Sequence, residues 1–330
     1  MNTTEIKELV RNWYGGVAVG STGCCGSTTT SENASCSMGY SGAELASLPE
    51  GADLGLGCGN PQAFAAMRPG EVVVDLGSGA GIDCFLAAQQ VGLAGRVIGV
   101  DMTHEMLAKA RANAERVGAA NVEFRLGEIE HLPIADNIAD VVISNCVINL
   151  VPDKAQVYRE AFRVLKPGGR IAIADVVNTA PLPPELSADA TLLCTCLAGA
   201  APTRQIEKWL TAAGFTDIRM AIKPGSRELV SSLGPRPRHR RLCRLRDHRR
   251  PQARPHAALT AQPLGRLNDG RARHGDHHTW GHLFTNPRLV RGRASGVKLH
   301  RFPNYARYAT IEVARVTPRS TRCRKFHPER

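Results

Sequence analysis

From Val72 onward, short apolar runs alternate with longer stretches in which apolar positions recur every three or four residues. Runs of the first kind predict strands at Val72-Val73-Val74, Arg96–Val100, Val122–Leu126, Val141-Val142-Ile143 and Arg170–Val177. The second kind predicts helices at Ile82–Val91, His104–Val117 and Lys154–Leu165, the last stopped by Pro167-Gly168-Gly169. Strands separated by helices imply a parallel sheet covered on both faces, a doubly wound, mostly parallel Rossmann-like α/β domain. Further helices are predicted at Leu182–Leu197 and Arg204–Ala213, and a late strand at Thr216–Ile222. Upstream, residues 5–14 read as a short helix. Residues 20–39, rich in Gly, Ser, Thr and Cys, read as a loop, and residues 60–68 as a short helix opened by Asn60-Pro61. Past Ser232 the periodicity is lost, apart from one alternating run at Tyr308–Val316. The chain divides into an N-terminal Cys-containing extension (1–69), the α/β domain (70–180), late helices with a strand (181–230) and an irregular tail (231–330).

Charge sharpens that last boundary. The net charge of +12 is the sum of an acidic body and a basic tail: residues 1–230 hold 18 Lys and Arg against 25 Asp and Glu, and residues 231–330 hold 24 against 5. No apolar run approaches the roughly 20 residues of a membrane helix, and the N-terminus lacks a basic start followed by an apolar stretch. A cytoplasmic protein is expected, with no membrane partner. In that compartment ten cysteines suggest thiol chemistry or soft-element binding rather than a disulfide scaffold.

The segment Val74-Asp75-Leu76-Gly77-Ser78-Gly79-Ala80-Gly81 is a strand running through glycines into a helix. Glycines there allow a tight turn and close approach of backbone to ligand. An acidic residue before the glycines suits a cationic amino group rather than phosphates, and S-adenosylmethionine is such a ligand. Asp101 ends the second strand, where a carboxylate reaches ribose hydroxyls, and Gly127-Glu128-Ile129 follows the third, where adenine would lie.

Cys58 sits in a glycine turn (Leu56-Gly57-Cys58-Gly59-Asn60-Pro61) ahead of the fold, Cys146 follows the fourth strand, and Cys196 lies beyond the fifth. Cys24-Cys25 occupies the N-terminal loop. No His, Asp or Glu accompanies them at zinc spacing, and three converging thiolates would hold a soft, trigonal, thiophilic element. Of the others, Cys84 reads as core, Cys194 as a structural or spare thiol, Cys36 as a spare loop thiol, and His104 and His131 as surface residues.

The glycine loop, the strand-end acids and Leu165-Lys166-Pro167-Gly168-Gly169 resemble class I methyltransferases. The resemblance narrows over about residues 8–230 to the arsenite methyltransferases, through Tyr40-Ser41, Leu48-Pro49-Glu50, the Cys58 turn, Asp101-Met102-Thr103, Gly127-Glu128-Ile129-Glu130, Asn145-Cys146 and Cys196. It implies that Asp75, Gly77, Ser78, Gly79, Gly81, Asp101, Met102, Glu128, Ile129 and Asn145 bind S-adenosylmethionine. It implies that Cys58, Cys146 and Cys196 bind trivalent arsenic, as arsenite or its thiol conjugate, and that Cys24 or Cys25 pairs with Cys58 in a redox step. A thiol reductant such as glutathione or thioredoxin would restore the pair. Two other readings of the same residues are a methyltransferase for a small organic acceptor such as a quinone, and a protein that binds arsenic without turnover.

The tail contains 22 Arg but only 2 Lys, a ratio expected of GC-rich DNA read out of frame. The related sheet also requires a last antiparallel strand after Thr216–Ile222, and codons compatible with Leu233–Ala253 allow one when read one nucleotide later. The tail is therefore expected to be frameshift-derived and disordered, leaving two strand edges unpaired. The competing reading is an authentic basic arm that contacts nucleic acid, with Tyr308–Val316 standing in as the strand.

Overall fold

A computed structural model describes residues 1–20, 31–224, 226 and 305–316. Cys24, Cys25 and the basic segment 231–304 lie outside the described residues. The strands are β1 (Val72–Leu76), β2 (Arg96–Asp101), β3 (Val122–Leu126), β4 (Ala139–Asn145), β5 (Leu165–Asn178), β6 (Ala201–Pro202), β7 (Phe215–Ile222) and β8 (Ala306–Val316). They form one sheet in the order β3-β2-β1-β4-β5-β8-β7, with β6 paired to the end of β5. Strands β1 to β5 run parallel, while β8 runs antiparallel to both β5 and β7. The order reverses between β1 and β4, and the carboxyl edge at such a switch point is where doubly wound sheets bind ligands.

Alternation along each strand feeds two cores. Val74 and Leu76 face α7 (Lys154–Val164) and α10 (Thr203–Ala213), with Ile98, Val142, Ile173 and Leu210 in the same cluster. Val73 faces the opposite layer of α5 (Ile82–Val91) and α6 (His104–Val117), with Phe85, Leu107 and Ile143. Apolar residues on both faces are what a parallel sheet between two helical layers requires. No described helix is long and apolar enough to cross a membrane.

Four stretches differ from the sequence expectation. Part of the predicted 20–39 loop is helical, α2 (Ser31–Met38). It is followed by α3 (Gly42–Ala46), which the Ser41–Glu44 capping box starts. The predicted 182–197 helix is two short pieces, α8 (Pro184–Ser187) and α9 (Ala190–Cys194). Asp189 divides them by accepting hydrogen bonds from the N–H groups of Thr191 and Leu192, which starts a new helix. The N-terminal helix α1 (Thr3–Ala18) is longer than expected and is capped by Asn2 with Glu5. A four-residue α4 (Gln62–Ala65) stands where residues 60–68 were expected helical; it ends at Ala66 in the left-handed region.

The expectation of two unpaired strand edges is overturned. Ala306–Val316 sits between β5 and β7 and hydrogen-bonds to both. This part of the tail is ordered within the same compact unit as the body. Its alternation explains the fit: Ala309 and Ile311 enter the α10-side core, while Ala306 and Tyr308 enter the cluster around the cysteines. Ile311 is 5% exposed. Ile311→Ala should therefore cost about 2–5 kcal/mol, read as a lower urea midpoint at unchanged slope. A loss below about 0.5 kcal/mol, the range of surface substitutions, would show that β8 does not occupy this slot.

Candidate active site

The carboxyl ends of β1, β2 and β4 open into a cleft that is partly open to solvent. The turn after β1 is set by Gly77, whose φ is +72° and whose Cβ position lies 2.8 Å or less from the Val147 side chain, so only glycine fits. The Gly77 and Ser78 N–H groups donate to the Val100 carbonyl at 2.8 and 3.1 Å, tying the turn to β2. Asp101, at the end of β2, accepts from Gly79 N at 2.9 Å and from Thr103 N at 2.8 Å. The Ser78 hydroxyl is buried without a hydrogen-bond partner among the described residues, and Ser78 lines the cleft.

Of the five carboxylates that line this cleft, three surround the glycine turn: Asp75 on β1, Asp83 on α5 and Asp101 at the end of β2. Burial raises the pKa of each, and Asp83 adds to the rise at Asp75. Donors oppose the rise at Asp83, from Asn145, Tyr40 and Gln62, and at Asp101, from the Thr103 and Gly79 backbone. None of the three is in an ion pair with a described residue. Buried anionic groups without a cation are costly, so the cleft suits a ligand that brings positive charge.

Met102, Gly127, Ile129 and Asn145 also line the cleft. Two expected cofactor residues do not. Gly81 starts α5 at φ +100°, crowded by the Phe85 and Phe124 rings. The Glu128 carboxylate is turned to α1, where it pairs with Lys7 and, at 3.8 Å, with Arg11; Lys7 also pairs with Glu130 at 3.2 Å. Helix α1, through Val10 and Tyr14, thereby forms one wall of the cleft.

The three expected thiols converge beside it. Cys58, Cys146 and Cys196 are 1%, 7% and 2% exposed and share one cluster. Cys58 and Cys146 are joined as a disulfide with Cα atoms 5.3 Å apart, and the Cys196 thiol donates to the Cys146 carbonyl at 2.7 Å. Cys146 and Cys196 both adopt positive φ, +58° and +63°, strain of a kind that non-glycine residues carry chiefly at functional sites. Burial, with Asp175 and Cys194 adding to it, raises the Cys196 thiol pKa. Cys146 belongs to both the thiol cluster and the cleft wall.

Several site residues escaped the sequence reading. Asp175 lies with Cys58 and Cys146, their ligating atoms within 4.8 Å of one another. It accepts from Asn149 Nδ2 at 2.7 Å and from Val176 N at 2.8 Å. Asp83 accepts from Tyr40 Oη at 2.8 Å. The signal for both was an acidic residue inside an otherwise apolar element, Ile171-Ala172-Ile173-Ala174-Asp175 and Ile82-Asp83-Cys84-Phe85. Cys84 is buried in the core as expected, yet its thiol also donates to Asp75 at 3.3 Å. Cys36, His104 and His131 are exposed, and Cys194 is buried.

A doubly wound sheet with an acidic, glycine-turned cleft at its switch point is the architecture of a methyltransferase domain. Residues 67–214 match the family described as a methyltransferase domain. Within that class the chain is particularly similar to arsenite methyltransferases. It is 52% identical over 240 residues to that of Halobacterium salinarum, covering 69% of this chain and 61% of the relative. It is 44% identical over 227 residues to that of Aquipseudomonas alcaligenes, covering 65% and 63%, and 41% identical over 157 residues to that of Homo sapiens, covering 45% and 42%. The chain thus spans less than two thirds of the length of these relatives.

Burial raises the Asp175 carboxyl to about 7, against the pull of the Val176 and Asn149 N–H groups and the charge of Lys154. Its unfolded value is about 3.9, so the folded state binds the proton more tightly. The associated stability is present below about pH 4 and is lost as pH rises toward 7, on the order of 4 kcal/mol at most. Asp175→Asn should therefore gain stability relative to the parent as pH rises from 4 to 8 in chemical denaturation. Parallel pH profiles for the two proteins would contradict the assignment.

Proposed function

We propose that the chain transfers methyl groups from S-adenosylmethionine to trivalent arsenic, presented as arsenite or its thiol conjugate, and so serves arsenic detoxification. The observation that carries this reading is the double membership of Cys146, which brings a cluster of three cysteines, three thiols once the Cys58–Cys146 disulfide is reduced, to the wall of a cationic-ligand cleft. The similarity to arsenite methyltransferases supports the same substrate.

Asp75, Gly77, Ser78, Gly79, Asp101, Met102 and Ile129 would hold the cofactor. Asp75 and Asp83 compensate its positive charge, Asp101 takes its ribose hydroxyls, and the Ser78 hydroxyl gains a polar partner. S-adenosylmethionine bound there supplies an electrophilic methyl group. Cys58, Cys146 and Cys196 as thiolates replace the oxygen ligands of arsenic, and the trigonal product keeps its lone pair as the nucleophile. No proton leaves in the methyl transfer, so the protein's contribution is to align the thiol cluster with the cleft and exclude water. Methylation formally oxidises arsenic to the pentavalent state. Two thiolates then give up an electron pair to it and form one S–S bond, which returns arsenic to the trivalent state. Cys58 and Cys146 are within bonding reach of one another for this step, and Cys24 or Cys25 is a second partner for Cys58. A small thiol such as glutathione, or thioredoxin, reopens the disulfide by exchange.

Asp101→Ala is expected to weaken S-adenosylmethionine binding at least about tenfold by calorimetry, the loss of a charge-assisted contact of about 1.5–3 kcal/mol; unchanged affinity would remove the cofactor assignment. Cys146→Ser and Cys196→Ser should abolish turnover of labelled cofactor with both arsenite and a monomethylated trivalent substrate, while Cys36→Ser retains it. Full activity of either buried-thiol variant on both substrates would refute the arsenic site.

A further inference from the structure

Asn145 ends β4 next to Cys146, and its side-chain amide is saturated. Oδ1 accepts from Cys58 N at 2.8 Å and from Gly59 N at 3.3 Å. Nδ2 donates to Tyr40 Oη at 2.8 Å, to Gly59 O at 2.8 Å and to Asp83 Oδ2 at 3.1 Å. An amide offers two N–H donors and two lone pairs. All four are engaged within the protein, so the group has no valence left for a cofactor although it lies in the cleft wall.

Its partners come from three separate stretches of chain. The Cys58 turn belongs to no helix or strand and depends on side-chain contacts for its position. Glycines on either side let it press inward: a Cβ at Gly57 would sit 2.8 Å from Asn145 Nδ2, and one at Gly59 would sit 2.9 Å from the Ala174 Cβ. The neighbouring Cys146 is fixed independently, its N–H donating to the Ala174 carbonyl at 2.8 Å. The hydrogen bonds of one amide thus set the place of Cys58 relative to Cys146. The same amide reaches Asp83 and Tyr40, which line the cleft.

We infer that Asn145 is a positioning residue that fastens the Cys58 turn to the end of β4, and thereby assembles the three-thiol site, rather than a ligand of the cofactor. The inference rests on the arsenic reading of the three thiols. Both lone pairs serve the Cys58 turn, so losing them displaces a thiol. Its one link to the charge partners proposed for the cofactor is the donation to Asp83, which Tyr40 and Gln62 also hold. Asparagine is required because alanine supplies neither donor nor acceptor. Aspartate keeps the acceptor but sets a second carboxylate against Asp83 in place of a donor.

The test titrates sodium arsenite into the fully reduced full-length protein without S-adenosylmethionine, read by the ultraviolet absorbance of As–S bonds. Cofactor affinity is measured separately by calorimetry. For Asn145→Ala the expected result is arsenite affinity weakened at least about tenfold, with S-adenosylmethionine affinity changed less than about threefold; tenfold corresponds to about 1.4 kcal/mol. In turnover, the KM for arsenite rises while the KM for the cofactor holds. Asn145→Leu, nearly isosteric but with neither donor nor acceptor, carries the same expectation and decides the matter where the alanine variant does not fold. Cofactor affinity falling as far as arsenite affinity, or arsenite affinity unchanged in the folded variant, overturns the inference. A parent protein that binds no arsenite overturns the function proposed above instead, so the two failures are distinguishable.

Discussion

The organisation of the molecule follows from an electrostatic debt at the edge of its sheet. Asp75, Asp83 and Asp101 are held 2–3% exposed or at the cleft margin, in a region whose burial raises all three pKa values. No described cation pairs with them. What the protein supplies instead are neutral donors: the Gly79 and Thr103 N–H groups, the Tyr40 hydroxyl and the amides of Gln62 and Asn145. Neutral donors reduce the cost of such a cluster without cancelling its charge. The positive charge is left to the ligand, and the glycine turn keeps the backbone close enough for the ligand to be enclosed.

The thiol cluster draws on the same scaffold. Cys146 follows β4, Cys196 follows α9, and Cys58 precedes the sheet in sequence, yet the three meet at one cluster. Two of them hold backbone angles in the left-handed region. Such angles persist only where surrounding packing over-determines them. Here Leu192, Leu197 and Tyr308, each at most 1% exposed, supply that packing.

How much could be read from the chain itself depended on whether a feature was local. The strands β1 to β5 and helices α5 to α7 announce themselves by period, because burial on one or both faces imposes it. The glycine turn and Asp101 were legible from their places at strand ends, and the three thiols from the company they keep. Glu128 was misplaced because sequence shows its position after β3 but not that Lys7 and Arg11, more than a hundred residues away, would draw its carboxylate outward. Asp175 and Asp83 escaped the sequence reading although each is a charge in an apolar run, because their partners come from other elements. The Asn145 network was invisible for the same reason: its acceptors and donors lie 62 to 105 residues away.

The placement of β8 also bears on how the protein comes into being. The strand that separates β5 from β7 is encoded about eighty residues after β7 ends. At synthesis rates of about 5–20 residues per second, the nascent body waits several seconds with two strand edges unfilled in its sheet. During that interval the edges can pair with another chain instead, and closing so long a loop slows the native pairing. Yield in a cell should therefore depend on how quickly translation proceeds through residues 227–304.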